Sequence, residues 1–409
     1  AGGSIENLVI VGGDGVIPMA AVPDLTEYSN EATVAREVLS NAGSSNAASG
    51  ALGNGYLLSD DPYATDAGIS ILGGDHELYV PQRNIGRLVE TADEIVGQLT
   101  NFADPNYNGL LDPATFSAAA SVTGYDFLDD GAQAIIDALD DPLDGGPFDA
   151  TPVGPELPLA KSLLGPDWDK NDFLGLFADG ADYSVISPNA HYDYESLLPA
   201  AADTAGYFTD EQLVTTADVD ALPTPPIDSL IFTVGCHAGF SVSDVQLGMT
   251  GTLDWAQLSA STGNQYVAHT TYGYGDTDIV AYSERLAALF AENVAAMVTD
   301  EPGAPTSLGA AVRLAKQQYL DSTLVLTPYD EKILQSWTYY GLPMYDLGPI
   351  VEPATDGETT GTSSFAASFG ATSLDVTSSS LSEPVSTGPV TFAFDEAVDG
   401  IVPVAIDLN

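Results

Sequence analysis

The chain has 409 residues, of which 44% are hydrophobic, and sets 59 acidic side chains against 9 basic ones for a formal charge of −50. So negative a surface repels nucleic acid and anionic membrane and argues against both as partners, while the apolar content is that of a folding chain rather than a disordered one. A single cysteine rules out an internal disulfide framework, and no stretch nears the roughly 20 apolar residues of a membrane span, which argues against membrane insertion. Most of the acidic side chains read as a solvated face suited to saline surroundings or bound calcium, with a lesser share left for steering basic substrates.

In chain order, Ile5 to Val11 reads as a strand already in progress, so the chain is expected to start inside a fold, as a piece of a longer precursor. Gly12-Gly13-Asp14 then makes a tight turn, and no G-x-G-x-x-G or Walker lysine follows to turn it into a phosphate cradle. Residues 20–60 read as loop apart from a helix near Glu31 to Leu39, and Tyr79 to Gly86 returns to the sheet. Thr91 to Phe102 puts Ile95, Val96, Leu99 and Phe102 on one helical face. A strand at Phe116 to Thr123 precedes a helix at Ala132 to Leu139.

Two apolar runs follow, Tyr183-Ser184-Val185-Ile186-Ser187 and Ile231-Phe232-Thr233-Val234. The first releases Pro188-Asn189-Ala190-His191, the second Gly235-Cys236-His237-Ala238-Gly239. A further strand lies at Gln265 to His269, and helices span about Asp278 to Val298 and Ser307 to Leu320. Strands alternating with helices predict an α/β fold, a mostly parallel sheet flanked by helices, with ligands at the carboxyl ends of the strands. After Pro349 the composition turns to Ser, Thr, Gly and Ala, with short strands at Val390 to Phe394 and Ile401 to Leu408. The expected division is an N-terminal α/β subdomain at 1–105, a catalytic α/β subdomain at 106–350, and a β-rich C-terminal extension, or the start of an Ig-like module, at 351–409.

His191 and Cys236, at the ends of neighbouring parallel strands, would set a base beside a nucleophile. A free thiol is mostly protonated at neutral pH, and a histidine within reach can take that proton and later return one to a leaving amine. His237 competes by adjacency, but successive strand residues point to opposite faces, which aims it away from the thiol. His76 and His269 read as structural, and four scattered histidines with one cysteine offer no zinc spacing.

The ordered blocks resemble a gingipain-type cysteine peptidase, in the clan of caspases, legumain and clostripain, over roughly residues 5–350. Leu8-Val9-Ile10-Val11-Gly12-Gly13-Asp14 with Ile17-Pro18, Ile85-Gly86-Arg87-Leu88, His191, Cys236 and Tyr340-Gly341-Leu342-Pro343 stand in the family's order, Leu342 replacing an aspartate of the closing block. The resemblance implies a caspase-like fold, Cys236 as nucleophile, His191 as general acid/base, and an oxyanion held by the backbone N–H groups of Cys236 and Tyr192. Tyr192 stands where gingipains have glycine, and the strand end Val122-Thr123-Gly124 offers no acid to orient the histidine.

By the same resemblance Asp129, with Asp130 close by, falls where arginine-cleaving relatives carry a pocket aspartate, although a helix start also uses such residues as caps. Tyr272 and Tyr274 fall where relatives place an aromatic pocket wall; core packing accounts for them equally well. Asp104, Asn106, Asn108, Leu110 and Asp112 carry oxygen ligands at EF-hand spacing, but Thr115 stands at the twelfth position and an Asn/Asp-rich turn would look the same. The expectation is thus a secreted or cell-surface endopeptidase acting on protein or peptide substrates, cutting after Arg first and Lys second, with no catalytic cofactor and a structural calcium. The alternative is a catalytically silent surface or binding module that retains the peptidase fold.

Overall fold

The computed structural model describes residues 5–38, 47–71, 76–104, 109, 119–140, 162–177, 183–203, 209–242, 253–299, 301–347, 365–369, 372–376 and 406–408. Seven strands form one continuous sheet: β1 (Asn7–Val11), β2 (Asn84–Leu88), β3 (Ala120–Thr123), β4 (Val185–Pro188), β5 (Leu230–Phe232), β6 (Gln265–His269) and β7 (Trp337–Tyr340). Their spatial order is β1-β2-β7-β6-β5-β4-β3. Every join is parallel except β6 to β7, where His269 faces Trp337. The mostly parallel α/β sheet read from the sequence is therefore present, built as two parallel ribbons that run in opposite directions across one antiparallel join.

Helices flank it: α1 (Glu31–Val38), α2 (Ala92–Phe102), α3 (Asp129–Leu139), α4 (Trp255–Ser261), α5 (Tyr282–Val298), α6 (Leu308–Ser322) and α7 (Pro328–Ser336). The α2 helix starts on a Thr91–Glu94 capping box, and Ser307 caps α6 through the Ala310 N–H. The α5 helix lies on the sheet through Phe290, whose ring meets Phe232 of β5 at 5.1 Å and Trp337 of β7 at 5.3 Å, both edge-on. Each such buried aromatic contributes about 1.5–3 kcal/mol by leaving water, so this contact locks the antiparallel join.

Local differences from the sequence reading have physical causes. Residues 20–60 include an antiparallel pair, Ala20–Pro23 with Tyr56–Ser59, and a helix at Ala47–Gly53. These elements are too short and Ala/Gly-rich for periodicity to reveal. The run ending near His191 stops as a sheet strand at Pro188. His191–Tyr192 belongs instead to a small antiparallel sheet with Ser196–Leu198 and Val214–Thr215. In the C-terminal region Phe365–Phe369, Thr372–Val376 and Ile406–Leu408 form an antiparallel sheet, while Val390 to Phe394 lie outside the described residues.

Candidate active site

The segments leaving β4 and β5 are stitched together before either candidate residue is reached. Thr233 keeps the sheet ladder through its N–H to the Val267 carbonyl (3.0 Å), while its hydroxyl donates to the Pro188 carbonyl (2.5 Å). The Val234 N–H donates to Asn189 Oδ1 (3.1 Å), and the Asn189 amide is itself tied to the Ser187 carbonyl and hydroxyl at 3.0 Å. Gly235 then passes directly beneath the Tyr192 ring, where any β-carbon would overlap it. The residues next to the two candidates are thus in contact, Tyr192 beside His191 and Gly235 beside Cys236.

Cys236 is half-buried, and its Sγ–H points to the Gly273 carbonyl at 3.7 Å. Gly273 is itself close against the Val234 carbonyl, leaving no room for a side chain. Burial pushes the thiol above its ordinary pKa and the Glu31 carboxylate adds to this; backbone hydrogen bonding at Gly273 and the Lys332 ammonium act the other way. His191 is exposed, and its imidazole lies edge-on to Tyr125 at 4.6 Å and tilted on Phe127 at 5.4 Å. Aromatic packing therefore steadies the histidine where the sequence offered no acid to orient it.

His237 does not follow the strand logic expected of it. It sits past the end of β5 in a left-handed turn (φ 54°), its N–H on the Thr271 carbonyl at 2.6 Å. Its ring nitrogen Nε2 meets Glu31 Oε2 at 2.9 Å. The other Glu31 oxygen takes Lys332 Nζ at 2.7 Å and the Tyr272 N–H at 3.2 Å. Lys332 also reaches Asp24 (2.8 Å) and the Ser29 carbonyl (2.7 Å), and Asp24 caps α1 by accepting the Glu31 N–H (2.8 Å). Burial opposes charge on Glu31, but His237 and Lys332 outweigh it and hold the carboxyl below its usual range. Sequence reasoning missed Glu31, Asp24 and Lys332. The available signal was Lys332 itself, one of only 9 basic residues, two positions after the Thr-Pro-Tyr-Asp start of an unread helix. His269 is structural as expected: buried, with Nδ1 on Ser336 Oγ at 2.9 Å, and pushed down to about 3 by burial and nearby cations.

Asp129 is the first residue of α3, yet its side chain does not cap that helix. It accepts the Gly165 N–H at 2.8 Å, and burial raises its pKa. Asp130 accepts the Gly131 N–H at 3.0 Å. Behind them stands Glu284, a residue the sequence reading did not select, 1% exposed, with Oε1 lacking a hydrogen-bond partner among the described residues. Burial, with Asp130 and Asp276 nearby, pushes its carboxyl up to about 7 against backbone N–H donation from Asp276 and Ala281. Gly131 and Gly275 leave the space that this carboxyl occupies.

Tyr272 packs on His237 (4.5 Å) and Tyr274 on Tyr329 (5.0 Å), with the Lys332 ammonium over their rings at 5.3 and 5.7 Å. Of the calcium-loop candidates, Asn106, Asn108, Leu110 and Asp112 lie outside the described residues, and Asp104 stands just past the end of α2. Among the described residues no group of three or more His, Cys, Asp or Glu could hold a metal, and no helix is long and apolar enough to cross a membrane.

No family model and no curated protein matches the sequence. Among solved structures, the Arg-specific cysteine proteinase gingipain R (RgpB) superposes with a TM-score of 0.52 at 12% identity, over 83% of this chain and 64% of that one. The complex of the Porphyromonas gingivalis RgpB pro- and mature domains gives 0.50 at 14%, over 84% and 65%. The matches thus cover slightly less than two thirds of those proteins. The chain has the fold of these gingipain R structures.

Proposed function

We propose that the protein is a cysteine endopeptidase that cleaves after basic residues, Arg before Lys, in which Cys236 attacks the scissile carbonyl and His191 carries the protons. The observation that supports this best is the contact between Tyr192 and Gly235, which brings the segments bearing the two residues side by side at the carboxyl ends of β4 and β5. His191 would remove the thiol proton and protonate the departing amine, and water would then release the acyl group. The backbone N–H groups of Cys236 and Tyr192 would hold the oxyanion. The half-buried Asp129, Asp130 and the buried Glu284 support a basic preference, since a guanidinium entering between them would gain charge-assisted hydrogen bonds. A secreted or surface location and a structural calcium belong to the same reading.

One observation favours the catalytically silent module: burial raises the pKa of the thiol, and its Sγ–H is directed at the Gly273 carbonyl. Fluorogenic peptides ending in Arg, Lys, Asn or Asp, assayed with calcium, separate the two. Turnover of the Arg peptide that is lost in Cys236→Ala and falls at least about 100-fold in His191→Ala supports the enzyme. Silence on every peptide, with a thiol inert to iodoacetamide, supports the module.

A further inference from the structure

We infer that Glu31 is a positioning residue for the candidate nucleophile, acting with His237 as one unit to set where the Cys236 thiol points and how readily it ionises. The inference rests on the peptidase reading for its turnover arm and on geometry for the rest. Two backbone segments hold the thiol. One is the turn that follows Cys236, made by His237; the other is Tyr272-Gly273, whose carbonyl takes the Sγ–H at 3.7 Å. Both are fastened to the same carboxylate, the His237 imidazole on Oε2 at 2.9 Å and the Tyr272 N–H on Oε1 at 3.2 Å. A single rigid group thus spans the slot in which Sγ sits.

The fastening is itself immobile. Glu31 is fully buried, its backbone N–H is fixed by Asp24, and Lys332 bridges both acids. A buried carboxylate holding three donors has little freedom to turn. The turn it stabilises is one that resists forming, because His237 lies in the left-handed region, where a β-carbon crowds the backbone. The Glu31–His237 contact and the His237 N–H bond to Thr271 supply reasons for it to stay there.

The carboxylate also acts through its field. The charged groups around the thiol are Glu31, which disfavours the thiolate, and Lys332, which favours it. Asp24, His237 and the phenols of Tyr272 and Tyr274 surround that pair. Removing the Glu31 charge should therefore make the thiol easier to ionise while leaving it badly aimed. These two effects have opposite signs in two different measurements.

The test compares wild type with Glu31→Gln, Glu31→Asp, His237→Asn and the Glu31→Gln/His237→Asn double variant, each checked for native circular dichroism. Asn suits the left-handed turn and leaves Lys332 paired, so His237→Asn keeps the test alive if Glu31→Gln does not fold. Two readouts are taken: the pH midpoint of iodoacetamide alkylation at Cys236, and kcat and KM on the Arg peptide. In Glu31→Gln the alkylation midpoint is expected to move to lower pH while kcat falls about 10- to 100-fold with KM little changed. Glu31→Asp should recover part of kcat. His237→Asn should lower kcat without lowering the midpoint, and the double variant should cost no more than the worse single one. A folded Glu31→Gln with midpoint and kcat unmoved overturns the inference, as do losses that add in the double variant. If wild type cleaves no peptide, the peptidase reading fails, while the alkylation midpoints still decide the role of Glu31.

Discussion

Charge at single residues is governed here by what each group meets when water is removed. Glu31 and Glu284 are both buried carboxyls with opposite outcomes. The first faces an imidazole and an ammonium and is held below the usual range, whereas the second is pushed up to about 7 by burial, with acids rather than cations nearby. For Glu284 the folded chain keeps a proton that the unfolded chain gives up near the ordinary 4.5. Its contribution to stability is therefore fully present below about pH 4.5 and is lost as pH rises through about 7. Glu284→Gln, which cannot ionise, should gain in Tm relative to wild type between pH 5 and pH 8, read by calorimetry across that range. A gap that stays constant would mean that the carboxyl is already paired with a cation. Legibility at this scale followed sequence distance. Cys236 and His191 were visible because each follows an apolar run that ends in small and polar residues. Glu31 was not, because its partner His237 is 206 positions away and nothing local in a Ser/Asn/Ala-rich stretch marks it.

Among the elements, α7 reaches furthest into the site. It begins at Thr327, whose hydroxyl caps the Asp330 N–H and whose own N–H is accepted by the Asp330 side chain, with Pro328 in the first turn. It ends by running into β7, and in between it delivers Lys332 to Asp24 and Glu31. Weakening its start should therefore be felt at the thiol. Thr327→Ala is expected to cost about 1 kcal/mol of unfolding free energy and to slow peptide turnover more than a surface change of equal cost elsewhere. Urea titration and kcat measured together check this. Equal stability loss with unchanged turnover would detach the helix from the site. The capping pattern of α7 was present in Thr327-Pro328-Tyr329-Asp330, but its apolar spacing is weak because so much of the helix is buried polar surface, including Asp330, Glu331, Lys332 and Gln335. Periodicity arguments assume one apolar face, and here buried polar side chains occupy it. The long helices α5 and α6 were readable because their apolar stripes are buried in the core, and α2 because Ile95, Leu99 and Phe102 face it, whereas Val96, read on the same face, is exposed.

For the whole molecule, the buried ion pairs cancel one another and leave the formal charge of −50 to the rest of the chain. Arg87, Lys316 and Lys332 are buried against Asp60, Asp61 and Asp24 respectively, so three of the 9 basic side chains neutralise nothing outside. They are also withheld from any peptidase that cuts after Arg or Lys. The remaining surface repels itself, and screening should relieve it. Tm is expected to rise when NaCl is taken from about 0.01 M, where charges act over about 30 Å, to about 1 M, where they act over about 3 Å. A flat or falling Tm would show that the buried pairs, and not the surface, dominate the electrostatics. The parallel sheet was legible from alternation of strand and helix. The reversal of direction at β6 and β7 was not, because strand polarity leaves no mark on a short apolar run.

The ties that meet around Glu31 join points 206 and 308 residues apart along the chain, His237 to Glu31 and Lys332 to Asp24. A polypeptide leaving the ribosome presents Cys236 long before Lys332 exists. Until α7 arrives, Glu31 has no ammonium against it and the turn after Cys236 lacks its fixed anchor. The order of synthesis therefore delays assembly of the site until almost the entire central sheet has been made. With Glu31 as its positioning residue, the thiol would gain its aim only after α7 has been made.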